Sequence, residues 1–341
     1  MPKVSVVMPA YNAEKYIREA IDSILNQTFV DFEFIIINDG STDRTKEIIL
    51  EYDDPRIVLL ENEKNSGIVV TLNKGLDAAK GEYIARMDAD DISLRNRIER
   101  QVSFLDSHAQ IGVVGSALQV FGEGIDTQNR FFSDSKEKLK AELLFNSCLA
   151  HPTVMFRRSL IQNINACYDI QYAGIEDFAL WWKLAQVTDI GCINEVLLRY
   201  RSHEKQITKE KSDARLERSF RFLEHRLQTL QIMLNEEEKK VLIMYSYSNW
   251  DYFNSTTLLL FVDTLARIFK NNIAKTFFEQ DALKEVTGLA VLFSSNNAKI
   301  YRNEKIKIQI RAVSKGILSP VLACKSLVRS FIGSIDWLPF S

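Results

Sequence analysis

FEFIIIN, residues 32–38, is apolar at nearly every position, so it reads as a strand buried on both faces. In soluble proteins that pattern belongs to a parallel sheet with helices on either side. The flanking sequence repeats the theme. Upstream, VSVVMPA (residues 4–10) is a second solid apolar strand, and Ala13 to Gln27 shows helical spacing at Tyr16, Ala20, Ile24 and Leu25. Downstream, DGSTDRTKEIILEY opens with capping residues before another helix, IVLLEN is a short strand, Val69 to Ala79 a helix and EYIARMD a strand. Strands alternating with helices of ten to fifteen residues predict an α/β doubly wound domain.

After Gln101 the pattern loosens. IGVVGSALQVF reads as a strand pair, Lys136 to Phe145 as a helix, and HPTVMFRRSLI as a strand running into a helix. IEDFALWWKLAQ reads as an aromatic-rich helix and VLLRYR as a last strand. From about Ser212 only charged amphipathic helices remain, such as Leu216 to Leu234, which divides the chain into residues 1–211 and a mainly helical 212–341. The segment from Lys299 to Arg329 holds Lys299, Arg302, Lys305, Lys307, Arg311, Lys315, Lys325 and Arg329 against one acid, Glu304, and Trp337, Leu338 and Phe340 follow. Such a tail is either a solvated face or a basic surface for peripheral contact with anionic lipid. Lys305 to Ile310 alternates with period two and also fits a strand.

At 341 residues and 46% hydrophobic, the chain can fill a sizeable core. A formal charge of -2 and the lack of zinc-finger spacing or an aromatic-and-basic repeat argue against a nucleic-acid partner. Cys148, Cys167, Cys192 and Cys324 form no CxxC pair and read as reduced core thiols. No apolar run approaches the ~18 residues of a membrane span, and Val4 to Ala10 is too short for a signal peptide, so a cytoplasmic location is expected.

The chemistry gathers at strand ends, where an open parallel sheet binds its ligands. YIARMDADD places Asp88, Asp90 and Asp91 directly after a strand. Carboxylates packed so closely need a cation or solvent, and hard oxygen ligands at this spacing suit Mg²⁺ or Mn²⁺. The alternative is an acidic turn in which Asp90 or Asp91 caps a helix from Ser93 to Asp106. Pro9, Ala10, Tyr11 and Asn12 follow the first strand, and Asn38, Asp39, Gly40 and Ser41 the second. An aromatic ring beside a carboxylate is what a nucleobase and its ribose require. Singly, Tyr11 also reads as a core cover and Asp39 as a turn former. No GxxxxGK[ST] and no GxGxxG occurs, so a nucleotide here depends on a metal for its phosphates.

VSVVMPAYN, IINDGSTD, NSGIVVTLNKG, GEYIARMDADD, HPTVMFRRS, IEDFALWWKLA and LRYRSHEKQIT, in this order and spacing, resemble the inverting glycosyltransferases of family 2, with their GT-A-type fold, over about Lys3 to Thr208. The resemblance implies a nucleotide-sugar donor, usually a UDP-sugar, and a saccharide or lipid-linked saccharide acceptor. It assigns the donor to Pro9, Ala10, Tyr11, Asn12, Asp39, Asn65, Asn73, Asp88, Ala89 and Asp90, and Mn²⁺ or Mg²⁺ to Asp88, Asp90 and His203. The family commonly has an arginine where this chain has Leu72, before Asn73.

The resemblance also makes Glu176 and Asp177 the catalytic acids, with Asp177 the base that deprotonates the acceptor hydroxyl. Such a group contributes about 10²–10⁴ in rate. Asp177 also reads as an N-cap for a helix beginning near Phe178, where the helix terminus would lower its pKa. At least one of Trp181 and Trp182 is expected in the core. His151 reads as a weaker candidate near the acceptor, and His108 and His225 as helix-surface residues. The implied activity is metal-assisted glycosyl transfer by single displacement. A nucleotidyltransferase would need a glycine- and lysine- or arginine-rich loop where this chain has PAYNAEKY, and a non-catalytic carbohydrate- or nucleotide-binding protein would not need the intact acids.

Overall fold

The computed structural model describes residues 1–203, 213–275, 277–320, 322, 323 and 326. The expected division at 211/212 and the tail residues Cys324, Lys325, Arg329, Trp337, Leu338 and Phe340 lie outside these residues, as does the end of LRYRSHEKQIT. The described residues form two compact units, one from Met1–Leu139 with Ser147–Arg215, the other from Lys140–Asn146 with residues from Leu216 onward.

The first unit is built on β1 (Val4–Ala10), β2 (Phe32–Asn38), β3 (Ile57–Glu61) and β4 (Tyr83–Arg86), joined by α1 (Ile17–Leu25), α2 (Thr45–Leu50) and α3 (Ile68–Ala78). β1 pairs in parallel with β2 and β4, and β2 with β3, so the carboxyl ends of these strands lie on one side of the sheet. Every residue of β1 is buried, as both faces are covered by helices.

Past β4 the sheet becomes mixed. β5 (Ile92–Ser93), α4 (Arg97–Ser107), β6 (Ile111–Gly122), β7 (Ile125–Arg130), α5 (Lys136–Glu142), β8 (Met155–Arg157), α6 (Arg158–Asn163), α7 (Glu176–Leu184) and β9 (Asp189–Ser202) follow. Strand order among the described residues is β3-β2-β1-β4-β8-β6-β9-β5, with β7 on β6. β8 runs antiparallel to β4 and β6, while β6 and β9 are parallel. The expected strand pair at IGVVGSALQVF is one strand, and its hairpin partner is β7.

The helix after the acidic turn begins at Arg97 with Asn96 at its N-cap, so neither Asp90 nor Asp91 caps it. Arg97 and Gln101 of α4 are buried and tie the helix to the site side of the sheet: Arg97 Nη2 donates to the Arg86 carbonyl at 2.6 Å and Gln101 Nε2 to that of Thr153 at 2.7 Å. Both Trp181 and Trp182 are core residues. Cys148 and Cys192 are buried as expected, but Cys167 is exposed.

The second unit is helical: α8 (Asp213–Thr229), α9 (Glu236–Ser246), α10 (Ser255–Lys275), α11 (Gln280–Asn297) and α12 (Arg302–Ser314). Its core includes Phe222, Leu242, Phe261, Leu265, Leu283, Val291 and Ile308. Lys305 to Ile310 is helical, because burial of Ile308 and Ala312 on one face of α12 overrides the period-two pattern. No helix among the described residues is long and apolar enough to cross a membrane.

Candidate active site

At the carboxyl end of β2, the Asp39 amide donates to the Ala10 carbonyl at 2.8 Å, so the loops after β1 and β2 share a hydrogen bond. The Asp39 side chain is 4% exposed. Its Oδ1 accepts from Asn62 Nδ2 and the Ser66 amide, each at 2.8 Å, and its Oδ2 from the Gly67 amide at 3.0 Å. Asp39 therefore organises the segment leading into α3 as well as facing the strand ends. Gly40 follows with φ +64, and a Cβ there would stand 2.5 Å from the Lys64 carbonyl carbon, so only glycine fits. Tyr11 is 47% exposed beside this segment of chain, and Asn12 Oδ1 accepts from the Thr42 amide at 2.9 Å. Pro9 and Ala10 are buried at the end of β1.

Two donor-site residues expected from sequence are engaged within the protein. Asn65 Oδ1 accepts from the Gly67 amide at 3.0 Å. Asn73 holds Tyr168 at two points, Nδ2 donating to its carbonyl at 2.8 Å and Oδ1 accepting from its amide at 2.9 Å.

The acidic turn lies at the end of β4. Ligand oxygens of Asp88, Asp90 and Asp91 fall within 4.8 Å of one another, a separation at which two unit charges repel by about 3–4 kcal/mol at an effective dielectric of ~20. Asp88 pairs with Arg86, and Asp90 Oδ2 lies 2.9 Å from His203 Nε2. Asp91 is fully buried; its Oδ1 accepts from the Arg201 amide at 2.8 Å, and its Oδ2 has no hydrogen-bond partner. Burial raises the Asp88 and Asp91 carboxyls above the usual range, Asp91 strongly, and the neighbouring acids add to both shifts. An orphaned buried oxygen and mutually repelling carboxylates fit a hard divalent cation. Asp91 was legible as the third acid of the triplet but absent from the expected ligand set.

Beside this turn the N-terminus of α7 presents the second acid pair. Ile175 is the N-cap, which places Glu176 and Asp177 in the first turn. Glu176 folds back so that its Oε2 accepts from the Gly174 amide. Ser147 Oγ lies 3.3 Å from Asp177 Oδ2. Contrary to the expected lowering by the helix terminus, the Asp177 carboxyl is raised: burial outweighs the Phe178 amide, Arg86 and Ser147, which pull it down. Glu176 is raised too, by burial and by Asp177.

Arg86 is 6% exposed and its charge acts on Asp88, Asp91, Glu176 and Asp177, linking the acidic turn to the α7 acids. Its signal in the sequence was a charge at the end of an otherwise apolar strand. His151 Nε2 lies 2.9 Å from the Tyr168 hydroxyl, and burial, with Arg86, holds the imidazole well below its usual pKa and therefore neutral. His225 lies on the exposed side of α8 as expected, stacked on Phe222, whereas His108 is the C-cap residue just past α4, stacked on Phe104.

The model of the family described as glycosyl transferase family 2 matches residues 5–164. A Haemophilus influenzae protein named an uncharacterized glycosyltransferase is 36% identical over 219 residues, 60% of this chain and 67% of its own. The UDP-Glc:alpha-D-GlcNAc-diphosphoundecaprenol beta-1,3-glucosyltransferase WfgD of Escherichia coli is 31% identical over 210 residues, 61% of this chain and 80% of its own. Among solved structures, S. aureus TarS 1-349 in complex with UDP-GlcNAc has a TM-score of 0.59 at 18% identity, covering 92% of each chain. Mannosyltransferase PcManGT from Pyrobaculum calidifontis, in complex with GDP-Man and Mn2+, has a TM-score of 0.51 at 18% identity, covering 93% of this chain and 86% of its own. At that identity the likeness is one of fold.

Proposed function

This chain belongs to glycosyltransferase family 2, with a GT-A-type fold, and on that premise we propose that it transfers a sugar from a UDP-sugar to an acceptor hydroxyl with inversion, in polysaccharide-related biosynthesis. The observation that carries the reading is the clustered Asp88, Asp90 and Asp91 at the end of β4, with the α7 acids, buried Glu176 and half-buried Asp177, linked to it electrostatically through Arg86. The names of WfgD and of a putative teichuronic acid biosynthesis glycosyltransferase of Bacillus subtilis support a glycan product. Family membership sets aside the nucleotidyltransferase alternative.

Asp88, Asp90 and Asp91 would hold Mn²⁺ or Mg²⁺, with His203 fixing Asp90. Such an ion neutralises the charge that develops on a departing diphosphate. Tyr11 and Asn12, with Asp39 behind them, bind the nucleoside, and Asn65 and Asn73 shape that side through the Gly67 and Tyr168 segments. Asp177 takes the proton of the acceptor hydroxyl as the hydroxyl oxygen attacks the anomeric carbon. Its raised pKa makes it a stronger base than an ordinary aspartate while leaving it ionised once the pH exceeds that value. Glu176 orients the turn before α7 through Gly174. A single displacement inverts the anomeric configuration. We assign catalysis to the first unit and read α8 to α12 as a helical extension.

The acceptor we favour is a lipid-linked saccharide, with the basic tail meeting anionic lipid on the cytosolic side. Release of free UDP from a panel of UDP-sugars, with and without Mn²⁺, tests the activity; no metal-stimulated release from any donor would overturn it.

A further inference from the structure

We propose that Arg201, near the end of β9, is a positioning residue that holds the Asp90–Asp91 turn in its ligating shape, an inference that rests on the metal-assisted reading above. The two segments are 110 residues apart, and Arg201 grips the turn twice: its amide donates to Asp91 Oδ1 at 2.8 Å and its side-chain Nε to the Asp90 carbonyl at 2.7 Å. These bonds fix both the backbone of one acid and the side chain of the next. With Oδ1 taken, Asp91 keeps its unpartnered Oδ2 as the oxygen available for a ligand.

The guanidinium is itself immobilised. It lies over the rings of Tyr16, at 4.5 Å, and Phe121, at 4.6 Å, and its Nη2 donates to Glu19 Oε2 at 2.9 Å. Tyr16 also lies against His203, with ring centroids 5.1 Å apart, so one aromatic side chain of the β1–α1 connection abuts both residues of β9 and its end that touch Asp90. A guanidinium confined by two aromatic faces and a carboxylate loses little further freedom in holding a carbonyl. An outer partner of this kind orients the ligand that touches the ion, and its loss lowers metal affinity by about 10–100-fold. Arg201→Lys keeps the charge over the rings but cannot reproduce the planar Nε–H geometry.

The test is UDP binding by calorimetry to the full chain over a series of Mn²⁺ concentrations and in EDTA, for the parent protein, Arg201→Met, Arg201→Lys and Phe121→Leu. The expected result is that Arg201→Met needs about tenfold more Mn²⁺ to tighten UDP, with UDP affinity in EDTA unchanged. Arg201→Lys and Phe121→Leu should shift the same way by less, which keeps the inference open to refutation if Arg201→Met does not fold. An unchanged Mn²⁺ requirement in the folded Arg201 variants overturns the positioning role while leaving the metal-assisted reading intact. A parent protein whose UDP binding ignores Mn²⁺ overturns both.

Discussion

His203 Nε2 lies 2.9 Å from Asp90 Oδ2, joining the end of β9 to the acidic turn across 113 residues of sequence. Asp90 is thereby held on its side chain by His203 and on its carbonyl by Arg201. Asp90→Ala should abolish turnover and remove the Mn²⁺-dependent tightening of UDP binding. His203→Ala should keep both but raise the Mn²⁺ requirement by about 10–100-fold. Titrating Mn²⁺ against UDP release checks the pair; Mn²⁺-stimulated activity in Asp90→Ala removes that residue from the ligand set.

Asp177→Asn should lower turnover by about 10²–10⁴ while leaving UDP affinity intact, because the amide keeps the shape but cannot take the proton. If Asp177 is the base, its raised pKa should set the acid limb of the parent enzyme's rate profile, with activity falling as the pH drops through a value above that of an ordinary aspartate. Steady-state rates against pH, with UDP binding measured in parallel, distinguish this from a loss of donor binding.

Asp39→Ala removes the acceptor for three N–H groups, those of Asn62, Ser66 and Gly67. The Gly67 amide keeps Asn65 Oδ1 and Asn62 Nδ2 keeps Thr71 Oγ1, but loss of hydrogen bonds to the buried carboxylate should cost about 1.5–3 kcal/mol of stability and weaken UDP binding as well. Denaturant melts together with calorimetry separate the two effects; unchanged stability would mean that water replaces the carboxylate.

The raised carboxyls of Asp88, Asp91, Glu176 and Asp177 make the folded protein prefer their protonated forms. Their contribution to stability is full below the ~4 of an unfolded carboxylate and is lost as the pH rises through the raised values. A bound divalent ion offsets the exposed charge. The difference between Tm in Mn²⁺ and in EDTA should therefore widen as the pH rises above the ordinary carboxylate range. A Tm difference independent of pH would refute the coupling.

Much of this was legible locally. VSVVMPA and FEFIIIN correspond to β1 and β2 residue for residue, since a strand buried on both faces needs no polar alternation. IGVVGSALQVF, read as a strand pair, is one continuous strand, β6. Gly115 sits mid-strand, where a Cβ would come within 2.7 Å of the Leu149 side chain, so it marks close packing and not a chain reversal. The acids could be read from their spacing. Arg86 and Arg201 could not be assigned partners, because theirs come from distant segments and from burial that no local pattern encodes.

For the second unit, we predict that replacing Lys305, Lys307 and Lys315 with glutamate reduces co-sedimentation with anionic liposomes and that added salt has the same effect on the parent protein. Each cation near such a surface contributes about 1 kcal/mol. Substitution is preferable to truncation, since Ile308 and Ala312 of α12 are core residues. Equal partitioning of both proteins, or indifference to anionic lipid, would remove the membrane role.

The hold of β9 on the acidic turn has a consequence for engineering. A chimera that imports residues 86–91 from a relative without residues 199–203 would deliver the carboxylates without their fasteners, because those bonds come from the far end of the first unit. The smallest transplantable form of the proposed metal site is two discontinuous peptides, and recombination between them separates the acids from the residues that hold them.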